Sequence, residues 1–598
     1  MNSIITGRLD ALRAEMQSAG VAATIIPQTD PHQSEYLAEH WQVRKWLSGF
    51  TGSAGTLVVT TDRALLWTDS RYFIQAAAQL ADTGIELMKD GLPDTPSIEA
   101  WLIAELPDDS TIGIDGMVFS VTAVEQFHRA FDGHNLHIDT TFSPIDKVWT
   151  SRPAIPADAV FVHDVKYAGE SAASKIDRVL AAAAAEGANA VFISALDEIA
   201  WTLNIRSTDV HCNPVATAFL YLSESVRTIF IDSAKVDDKI RAYLAEASID
   251  VAPYDSVSRF LALLPADAQV LVESARTAYT LASVIGKHAV PGRSVVAIPK
   301  AVKNMTQIAG VRQAMARDGV ALVKLFMEIE RALAAGETVT ELDVAALGIK
   351  YRSQGAYYVD ESFEMIAGYA DHGAIVHYSA TPQTSVALQP KGLLLVDSGA
   401  QYLDGTTDIT RTVCLGTPTA QERRDFTLVM KGHISLGTAV FPEGTRGDQL
   451  DAFARRALWQ QGLSYLHGTG HGVGHFLNVH EGPQSIRLNH VNVPLKPGMI
   501  TSNEPGLYRE GVHGIRCENL VLTVPSEVSN PEFGNFYKFE TLTLFPFDIK
   551  LFDLSIMTDE EIEWVNGYHA HVREVLLPLL ETEAQRQWLT ANTAPLCR

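Results

Sequence analysis

The spacing of apolar residues along the chain predicts an alternation of helices and strands. Residues 1–20 have the apolar spacing of one helix face among charged residues, and Ala19 and Gly20 end the pattern. An apolar strand is predicted at 21–26, and two β-rich runs follow at 56–60 and 64–67. The apolar residues of the first helix are Ile4, Ile5, Leu9, Leu12 and Met16.

The same order of patterns returns in the next part of the chain. A helix ends at Glu186 and Gly187, and a strand is predicted at 190–194. Further strands are predicted at 216–222 and 227–232. We interpret this as an internal duplication that gives two similar α/β domains, with chance similarity of two α/β patterns as the alternative.

Two proline-containing segments indicate the domain boundaries. Residues 151–156 carry two prolines, which suit an extended linker, and a second boundary falls near Pro299. The predicted domains are therefore 1–150, 151–303 and 304–598. In the third region, residues 311–335 form a long amphipathic pattern that predicts a helix, and Gly336 is placed to end it.

The third region also contains two acid-bearing hairpins with similar sequences. Each reads as strand, acid, glycine-containing turn, strand and acid, with the pairs Asp397/Asp408 and Glu504/Glu518. Glu504 and Glu518 are equally spaced about Gly511, so they are expected to face each other. Asp397 and Asp408 centre slightly before the turn glycine, and a β-bulge is expected to absorb the offset.

Four carboxylates delivered to one place need a positive partner, because buried like charges repel. Between the hairpins lies the run HGTGHGVGHFLNVHE, residues 467–481, whose alternating glycines favour a strand with close backbone contacts. One of its histidines can complete a metal site. Four carboxylates and an imidazole are a hard, oxygen-rich set that can hold two divalent ions. For any one acid alone, a solvated turn residue is the more common explanation.

Composition limits the classes of function. The chain has 598 residues, 46% of them hydrophobic and 20% charged, which is typical of a globular protein of several domains. Its net charge of −24 argues against nucleic acid or an anionic membrane as the main partner. No uninterrupted apolar run approaches the length of a membrane span, and the N-terminus is not a secretory signal. Four cysteines without C-x-x-C pairing suggest reduced thiols and a cytoplasmic protein.

The motifs DSGAQYLDGTTDITRT, HGTGHGVGHFLNVHEGP and NEPGLYREGVHGIRCENL resemble those of the pita-bread metallopeptidases. Together with LSGFTGSAGTLVVT, LWTDSRYFIQA and LDEIAWTLNIR, they resemble the three-domain, cytosolic form of Xaa-Pro aminopeptidase (aminopeptidase P) over nearly the whole chain. The resemblance implies an α/β (α+β) fold with two creatinase-like domains, a pita-bread catalytic domain and a C-terminal extension from about residue 537.

The same resemblance implies a metalloaminopeptidase that hydrolyses the N-terminal Xaa-Pro bond with a hydroxide shared by two metal ions. Two divalent ions are expected, most simply Mn²⁺, with Zn²⁺ or Co²⁺ as alternatives. The substrates are peptides with proline at position 2, and a homodimer is expected. Asp397 would bind one ion, His471 and Glu504 the other, and Asp408 and Glu518 would bridge both.

Further roles follow from the resemblance, residue by residue. Glu504 would also shuttle protons, and three histidines would bind the oxyanion or line the proline pocket: His377, His467 and His480. Arg516 would close the proline side, and Tyr508 would border the pocket for the first residue. His372 stands where the family motif is expected to carry asparagine, which puts the local substrate contacts in doubt. Cys517 lies between Arg516 and Glu518 and should point to the opposite sheet face, into the core.

Several rival functions are distinguishable by sequence. A prolidase, which cleaves Xaa-Pro dipeptides, shares the catalytic fold but lacks a full second domain and this C-terminal tail. Creatinase lacks the metal ligands, and methionine aminopeptidase usually lacks two leading domains. A non-catalytic binding module of pita-bread fold would have lost the ligands, and here the five-residue set is whole.

Overall fold

The computed structural model describes residues 2–528 and 530–598. These fall into two compact units, one of Met1–Val165 with Glu170–Val296 and one of Lys166–Gly169 with Ala297–Arg598. Among the described residues, no helix has both the length and the apolar character that crossing a membrane requires.

The first unit begins with a six-stranded sheet. The central strand Ala23–Ile26 runs antiparallel to one neighbour and parallel to the other. From edge to edge the strands are Glu86–Lys89, Ala64–Thr68, Thr56–Thr60, Ala23–Ile26, Thr111–Gly113 and His137–Asp139. The helices around it are Asn2–Ala19, Val43–Ser48, Phe73–Gln79, Ile98–Glu105, Val121–Phe131 and Ile145–Val148.

A second sheet in the same unit repeats this topology. Its strand order is Asp250–Ala252, Arg227–Ile231, Ala218–Ser223, Ala190–Ile193, Val270–Glu273 and Ala289–Gly292. Each neighbouring pair runs in the same relative direction as its counterpart in the first sheet. The predicted duplication is therefore confirmed. The helices in the same part of the chain as the second sheet are Ala172–Ala185, Leu196–Leu203, Asp238–Glu246, Val257–Leu261 and Tyr279–Ile285. Two further short strands, Phe161–Val162 and Ile205–Arg206, pair with each other.

The first helix, Asn2–Ala19, buries its apolar face in the core beside the first sheet. Ile5, Leu9, Leu12 and Met16 are buried against the first sheet's core, as their spacing predicts. Ile4 is 56% exposed, so its inclusion in that face was wrong.

The long helix of the second unit is Met305–Ala334, which starts six residues before the predicted position. Asn304 caps it, because the Asn304 side chain accepts from the Gln307 N–H while the Gln307 side chain accepts from the Asn304 N–H. Gly336 follows the helix with φ of +72°, a left-handed conformation suited to glycine, and the predicted end is confirmed.

The remaining elements that the structure describes in the second unit are helices and the strands of four sheets. The helices are Ala297–Ala301, Glu341–Arg352, Ala420–Gly437, Gly447–Trp459, Asp559–Leu576 and Glu583–Asn592. A six-stranded sheet runs in the order Val440–Pro442, Phe536–Thr541, Asn519–Pro525, Ile500–Asn503, Gly470–Gly472 and Glu481–Ile486. Three smaller sheets are Tyr358–Glu361/Ala400–Tyr402/Gly405–Thr406, Ile366–Tyr369/Leu393–Ser398/Ile409–Cys414 and Gly506–Arg509/His513–Arg516.

The first acid-bearing hairpin has one register throughout. Ser398 pairs with Ile409 and Tyr402 pairs with Gly405, across a turn of two residues. Asp397 therefore pairs with Thr410, and Asp408 does not come opposite Asp397. The predicted bulge was wrong, because no register shift separates the two parts of this hairpin.

The second acid-bearing hairpin turns at residues 510–512, where Arg509 pairs with His513. Asn503 pairs with Asn519 in the continuing ladder, so Glu504 comes opposite Glu518. This arrangement is the one that their equal spacing about Gly511 predicted.

Candidate metal centre

The two hairpins present each acid at or beside the end of a strand. Asp397 belongs to the strand Leu393–Ser398, and Asp408 directly precedes Ile409–Cys414. Glu504 follows Ile500–Asn503, and Glu518 directly precedes Asn519–Pro525. The backbone N–H of Glu518 donates to the Thr410 carbonyl at 3.1 Å, so the two hairpins are joined beside their acids.

His471 reaches the acids from the short strand Gly470–Gly472. A Cβ on Gly470 would lie 2.0 Å from the Ser502 carbonyl oxygen, so glycine is required for this close approach. The His471 Nδ1–H donates to the Gly472 carbonyl at 2.8 Å, which leaves Nε2 directed at the acids. Nε2 lies 3.4 Å from Asp408 Oδ2 and 3.5 Å from Glu504 Oε1.

The chemistry of these side chains fits a divalent metal. Asp408, His471 and Glu518 offer ligand atoms that all lie within 4.8 Å of one another. Asp397 Oδ1 and Glu518 Oε1 are buried carboxylate oxygens that accept no hydrogen bond. Buried carboxylate oxygens without donors are costly unless a cation satisfies them, so the set is suited to hard metal ions.

Burial and the proximity of the acids to one another shift several pKa values at the site. Burial, together with Asp408 and Glu504, raises the pKa of Glu518 well above its ordinary value. Burial also raises the pKa of Glu504 to about 7, although His471 and Arg516 lower it in part. Burial lowers the pKa of His471, but the Asp408 and Glu504 carboxylates more than offset this and raise it to about 9. Each shift lessens the net negative charge of the cluster.

A chain of hydrogen bonds leads from Asp397 to His467. The buried Arg516 donates to Asp397 Oδ2 from Nη2 at 2.6 Å and from Nε at 3.1 Å. Arg516 Nη1 donates to the Tyr508 hydroxyl at 2.7 Å, and that hydroxyl lies 2.8 Å from His467 Nε2. Because His467 Nδ1 faces the Gly468 carbonyl at 2.7 Å, Nδ1 carries the proton and Nε2 accepts from Tyr508.

This geometry gives Arg516 a contact that was not predicted. Its guanidinium orients Asp397 and offsets its charge, whereas the sequence assigned it to the proline side of the substrate. The assignments of Arg516 and Tyr508 to substrate pockets stay predictions. Cys517 is fully buried, as its alternation with Arg516 and Glu518 indicated.

The other predicted histidines lie around the same cluster. The His480 ring contacts the His471 ring edge to face, with centroids 4.4 Å apart. His377 follows Val376, whose carbonyl accepts from Arg516 Nη2 at 3.2 Å. The structure therefore brings all the predicted residues into one region, and their individual roles stay predictions.

Two hydroxyl residues at the site were missed from the sequence. Thr410 Oγ1 donates to Glu518 Oε2 at 2.8 Å and accepts from Arg516 Nε at 3.3 Å. Ser502 Oγ donates to Glu504 Oε1 at 3.1 Å. Each lies two residues from a predicted ligand, so the two-residue period of a strand could have found both.

Four protein-family models match successive parts of the chain. Residues 309–525 match the model of metallopeptidase family M24, and 535–596 match the C-terminal region of peptidase M24. Two models of the creatinase/prolidase N-terminal domain match residues 8–148 and 151–307.

Curated relatives match over nearly the whole of this chain. Aminopeptidase P2 of Arabidopsis thaliana is 41% identical over 634 residues, which cover 100% of this chain and 89% of the relative. A protein of Laccaria bicolor described as a probable Xaa-Pro aminopeptidase P is 42% identical over 607 residues, with 99% and 94% covered.

A solved structure agrees with the fold. The X-prolyl aminopeptidase of Caenorhabditis elegans, described as a cytosolic enzyme with a di-nuclear active site, superposes with a TM-score of 0.96. It is 35% identical and covers 99% of this chain and 100% of its own. With two creatinase-type N-terminal domains ahead of its catalytic region, the chain belongs to metallopeptidase family M24.

Proposed function

We propose that this enzyme is a metalloaminopeptidase that removes the N-terminal residue of peptides whose second residue is proline. The relatives described as aminopeptidases P and as an X-prolyl aminopeptidase support this substrate class. The observation that carries the proposal is the pair of buried, donor-free oxygens on Asp397 and Glu518, beside His471. A non-catalytic module has no use for such a destabilising set.

The ligands proposed for two metal ions are Asp397, Asp408, His471, Glu504 and Glu518. Asp397 would hold one ion, His471 and Glu504 the other, and Asp408 and Glu518 both. We propose Mn²⁺, because the hard, oxygen-rich donor set suits it, although the donors also admit Zn²⁺ or Co²⁺. Divalent ions bound here supply Lewis acidity, which activates water and polarises a carbonyl group.

Glu504 is proposed to move the proton. A carboxylate placed here can accept a proton from the attacking water and return it to the leaving nitrogen. Ser502 Oγ, which donates to Glu504 Oε1, fixes the carboxylate while Glu504 Oε2 remains for the transfer. Glu504 thereby acts in both proton steps.

Three histidines are proposed to bind the reacting carbonyl and the proline side: His377, His467 and His480. A positioned donor to the developing oxyanion lowers the barrier because the charge grows only in the transition state. His467 Nδ1 donates to the Gly468 carbonyl and Nε2 accepts from the Tyr508 hydroxyl, so His467 is proposed for the proline side and the oxyanion donor is His377 or His480. Tyr508 is proposed to border the first-residue pocket and Arg516 the proline side.

Restriction to an amino terminus is proposed to follow from the site's affinity for a free amino group. That group would sit against a metal ion and a nearby carboxylate, whereas an internal peptide bond brings no such group. Proline lacks an N–H and has a fixed φ, so a pocket shaped for its ring can make it a requirement.

Other properties are proposed on the resemblance and the relatives. The nematode structure is described as that of a cytosolic enzyme, which supports a cytoplasmic location here. A homodimer and the domain boundaries at 150/151 and 303/304, with an extension from about 537, remain our assignments.

The test compares three peptides with and without added manganese. Xaa-Pro-Yaa should be cleaved fast, Xaa-Ala-Yaa very weakly and the dipeptide Xaa-Pro poorly. Fast cleavage of Xaa-Pro with little of the tripeptide would replace the proposal by a prolidase. Equal rates on Xaa-Pro-Yaa and Xaa-Ala-Yaa would remove the proline pocket.

The matched variants are His480→Ala and His490→Ala. His480→Ala should lower kcat/KM by about 100- to 1000-fold with unchanged metal content, as loss of an oxyanion donor does. His490 is exposed and contacts Asp448, so His490→Ala should match the wild type. Full activity in both variants would exclude His480 from the reaction.

A further inference from the structure

The Glu341 carboxylate is buried and accepts four hydrogen-bond donors from one segment of the chain, residues 369–386. Its Oε1 accepts from the backbone N–H of Tyr369 at 2.9 Å and from His372 Nδ1 at 2.8 Å. Its Oε2 accepts from the Tyr378 hydroxyl at 2.8 Å and from the Val386 N–H at 3.1 Å. One carboxylate therefore holds both ends and the middle of this segment.

The segment contains His377, whose neighbour on one side is Tyr378. On its other side, the Val376 carbonyl oxygen accepts from Arg516 Nη2. His377 is thus fixed between a contact to Glu341 and a contact to the arginine that binds Asp397. Glu341 itself is the first residue of the helix Glu341–Arg352, where a negative charge is favoured by the helix dipole.

We propose that Glu341 is a positioning residue for the reaction, whose carboxylate holds residues 369–386 so that His377 is presented to the metal centre. The inference rests on the proposed function, because the role of His377 belongs to it. Glu341 contacts none of the proposed ligands among its described hydrogen bonds and acts through the segment.

Because His372 is titratable, its contact with Glu341 makes the positioning of residues 369–386 depend on pH. Its side chain is 20% exposed, and it faces Glu341, Asp371 and the Tyr378 ring. The hydrogen bond to Glu341 raises the pKa of His372, and burial opposes it in part. A raised histidine pKa means that the ionic contribution is complete at low pH and is lost as pH rises through that pKa.

Charged groups on the strands packed against the turn Ala370–Ala374 have partners of their own. Arg509 and His513 both contact Asp425, at 2.6 Å and 3.0 Å. Arg516 contacts Asp397 at 2.6 Å. The pH dependence of the segment is therefore assigned to His372 and Glu341.

The main test is Glu341→Gln in the metal-loaded, full-length enzyme. An amide has one acceptor oxygen, so its NH₂ group must face two donors on one side and the segment loosens. We expect kcat/KM for Xaa-Pro-Yaa to fall about 100-fold, as misplacement of a reacting group does. Metal content should stay unchanged, and amide hydrogen exchange of residues 369–386 should rise. Unchanged exchange and unchanged kcat together would overturn the proposal.

Asp343→Asn is the matched control. It makes the same acid-to-amide change two residues later on the same helix, where the Asp343 side chain, within the described part of the chain, accepts from Thr340 alone, at 2.8 and 2.7 Å. It should leave kcat and the exchange of 369–386 at wild-type values. If Asp343→Asn loosens the segment as much as Glu341→Gln, the effect belongs to the helix end and the proposal fails.

Two milder variants keep the test decisive if Glu341→Gln does not fold. Tyr378→Phe removes one hydroxyl donor, and faster exchange around 377 supports the hold while wild-type exchange contradicts it. His372→Asn keeps an N–H donor that does not titrate. The alkaline loss of kcat/KM that His372 adds to the wild type should vanish in this variant, and an unchanged pH profile would exclude the histidine.

His377→Ala separates the inference from the proposed function. If this variant keeps wild-type turnover, the proposed role of His377 fails, while the exchange result for Glu341→Gln still decides whether Glu341 holds the segment. If His377→Ala is inactive but Glu341→Gln is fully active, the proposed function stands and the positioning role is wrong.

Discussion

The two acid-bearing hairpins share a sequence pattern but differ in how their acids pair. In the second, Glu504 comes opposite Glu518, because Glu504 lies five residues before Arg509 and Glu518 lies five residues after His513, the pair that closes the turn. In the first, Tyr402 and Gly405 close the turn, and Asp397 lies five residues before Tyr402 whereas Asp408 lies only three after Gly405. Asp397 therefore comes opposite Thr410, since in a fixed register two positions face each other only when they are equally far from the turn.

This difference gives the two hairpins unequal electrostatic roles. In the first, Asp397 pairs with Thr410, whose hydroxyl is directed at Glu518, and Asp397 itself is held by Arg516. In the second, two glutamates face each other, and among the described hydrogen bonds no arginine side chain donates to either carboxylate, although Arg516 lowers the pKa of Glu504 in part. The first hairpin therefore supplies one acid, Asp397, whose charge an arginine offsets. The other three acids repel one another strongly, and a cation is needed among them.

The largest effect is expected from Asp408→Asn, which removes one charge from the first hairpin. A neutral amide cannot bridge two cations, so activity should fall below detection and metal content should drop. The metal-free variant should unfold at the same temperature as the wild type or higher, because carboxylate repulsion is relieved. Glu510→Gln, which changes an exposed acid in the turn of the second hairpin, is the control and should keep metal and activity. Full turnover with unchanged metal would remove Asp408 from the site.

The second hairpin should dominate the response to pH. The folded pKa of Glu504, about 7, lies above the ordinary value of 4.5, so its protonation favours the folded, metal-free protein. That contribution is present at low pH and is lost as pH rises through about 7. The chelator-treated enzyme should therefore melt at a lower temperature at pH 8 than at pH 6.

Metal binding supplies the complementary measurement. The acids must lose their protons to bind metal, so binding near neutral pH should release protons and weaken as pH falls. Calorimetry of Mn²⁺ binding in buffers of different ionisation enthalpy measures the release. Added Mn²⁺ should also restore activity after chelation. Binding without proton release at pH 7 would contradict the clustering of these acids.

Much of the fold was predictable from pattern alone. The strands at 56–60 and 190–193 follow apolar runs of β-branched residues, and the repeated order of elements predicted two related sheets. Element ends were less predictable, because they depend on caps. The long helix gains its first turn from Asn304 and Gln307, a reciprocal pair that apolar periodicity does not record.

The clustering of the acids was predictable, but the pairing within the first hairpin was not. The four acids were singled out because acids at the ends of apolar strands are unusual, whereas His471 was chosen among the histidines by the family resemblance. The contact between Arg516 and Asp397 joins residues 119 positions apart in sequence, and no local pattern signals it. The four donors on Glu341 come from a segment that begins 28 residues later, so they too needed the tertiary structure.

A smaller effect is expected from the two hydroxyls, one on each hairpin, that orient the acids of the second hairpin. Thr410→Val keeps the shape but removes the donor to Glu518 Oε2, and should cost about 10- to 100-fold in metal affinity or activity. Ser502→Ala removes the donor to Glu504 and should mainly lower kcat. Thr410→Ser, which keeps the hydroxyl, is the control. If Thr410→Val binds Mn²⁺ as tightly as Thr410→Ser, the hydroxyl does not orient Glu518.

The smallest effect concerns the turn that sets the second register. Gly511 has φ of +70° with open space around its Cα, so Gly511→Ala meets backbone strain but no clash. Such strain is about 1 kcal/mol, and the melting temperature should fall while metal content and kcat stay unchanged, because turn length is preserved. Gly567→Ala makes the same change inside the helix Asp559–Leu576, also in open space, and should stabilise by about 1 kcal/mol. If Gly511→Ala lowers the melting temperature, Gly567→Ala raises it and both variants keep wild-type activity, then the length of the turn, rather than its glycine, pairs Glu504 with Glu518. Loss of metal in Gly511→Ala alone would show instead that the register depends on the glycine conformation itself.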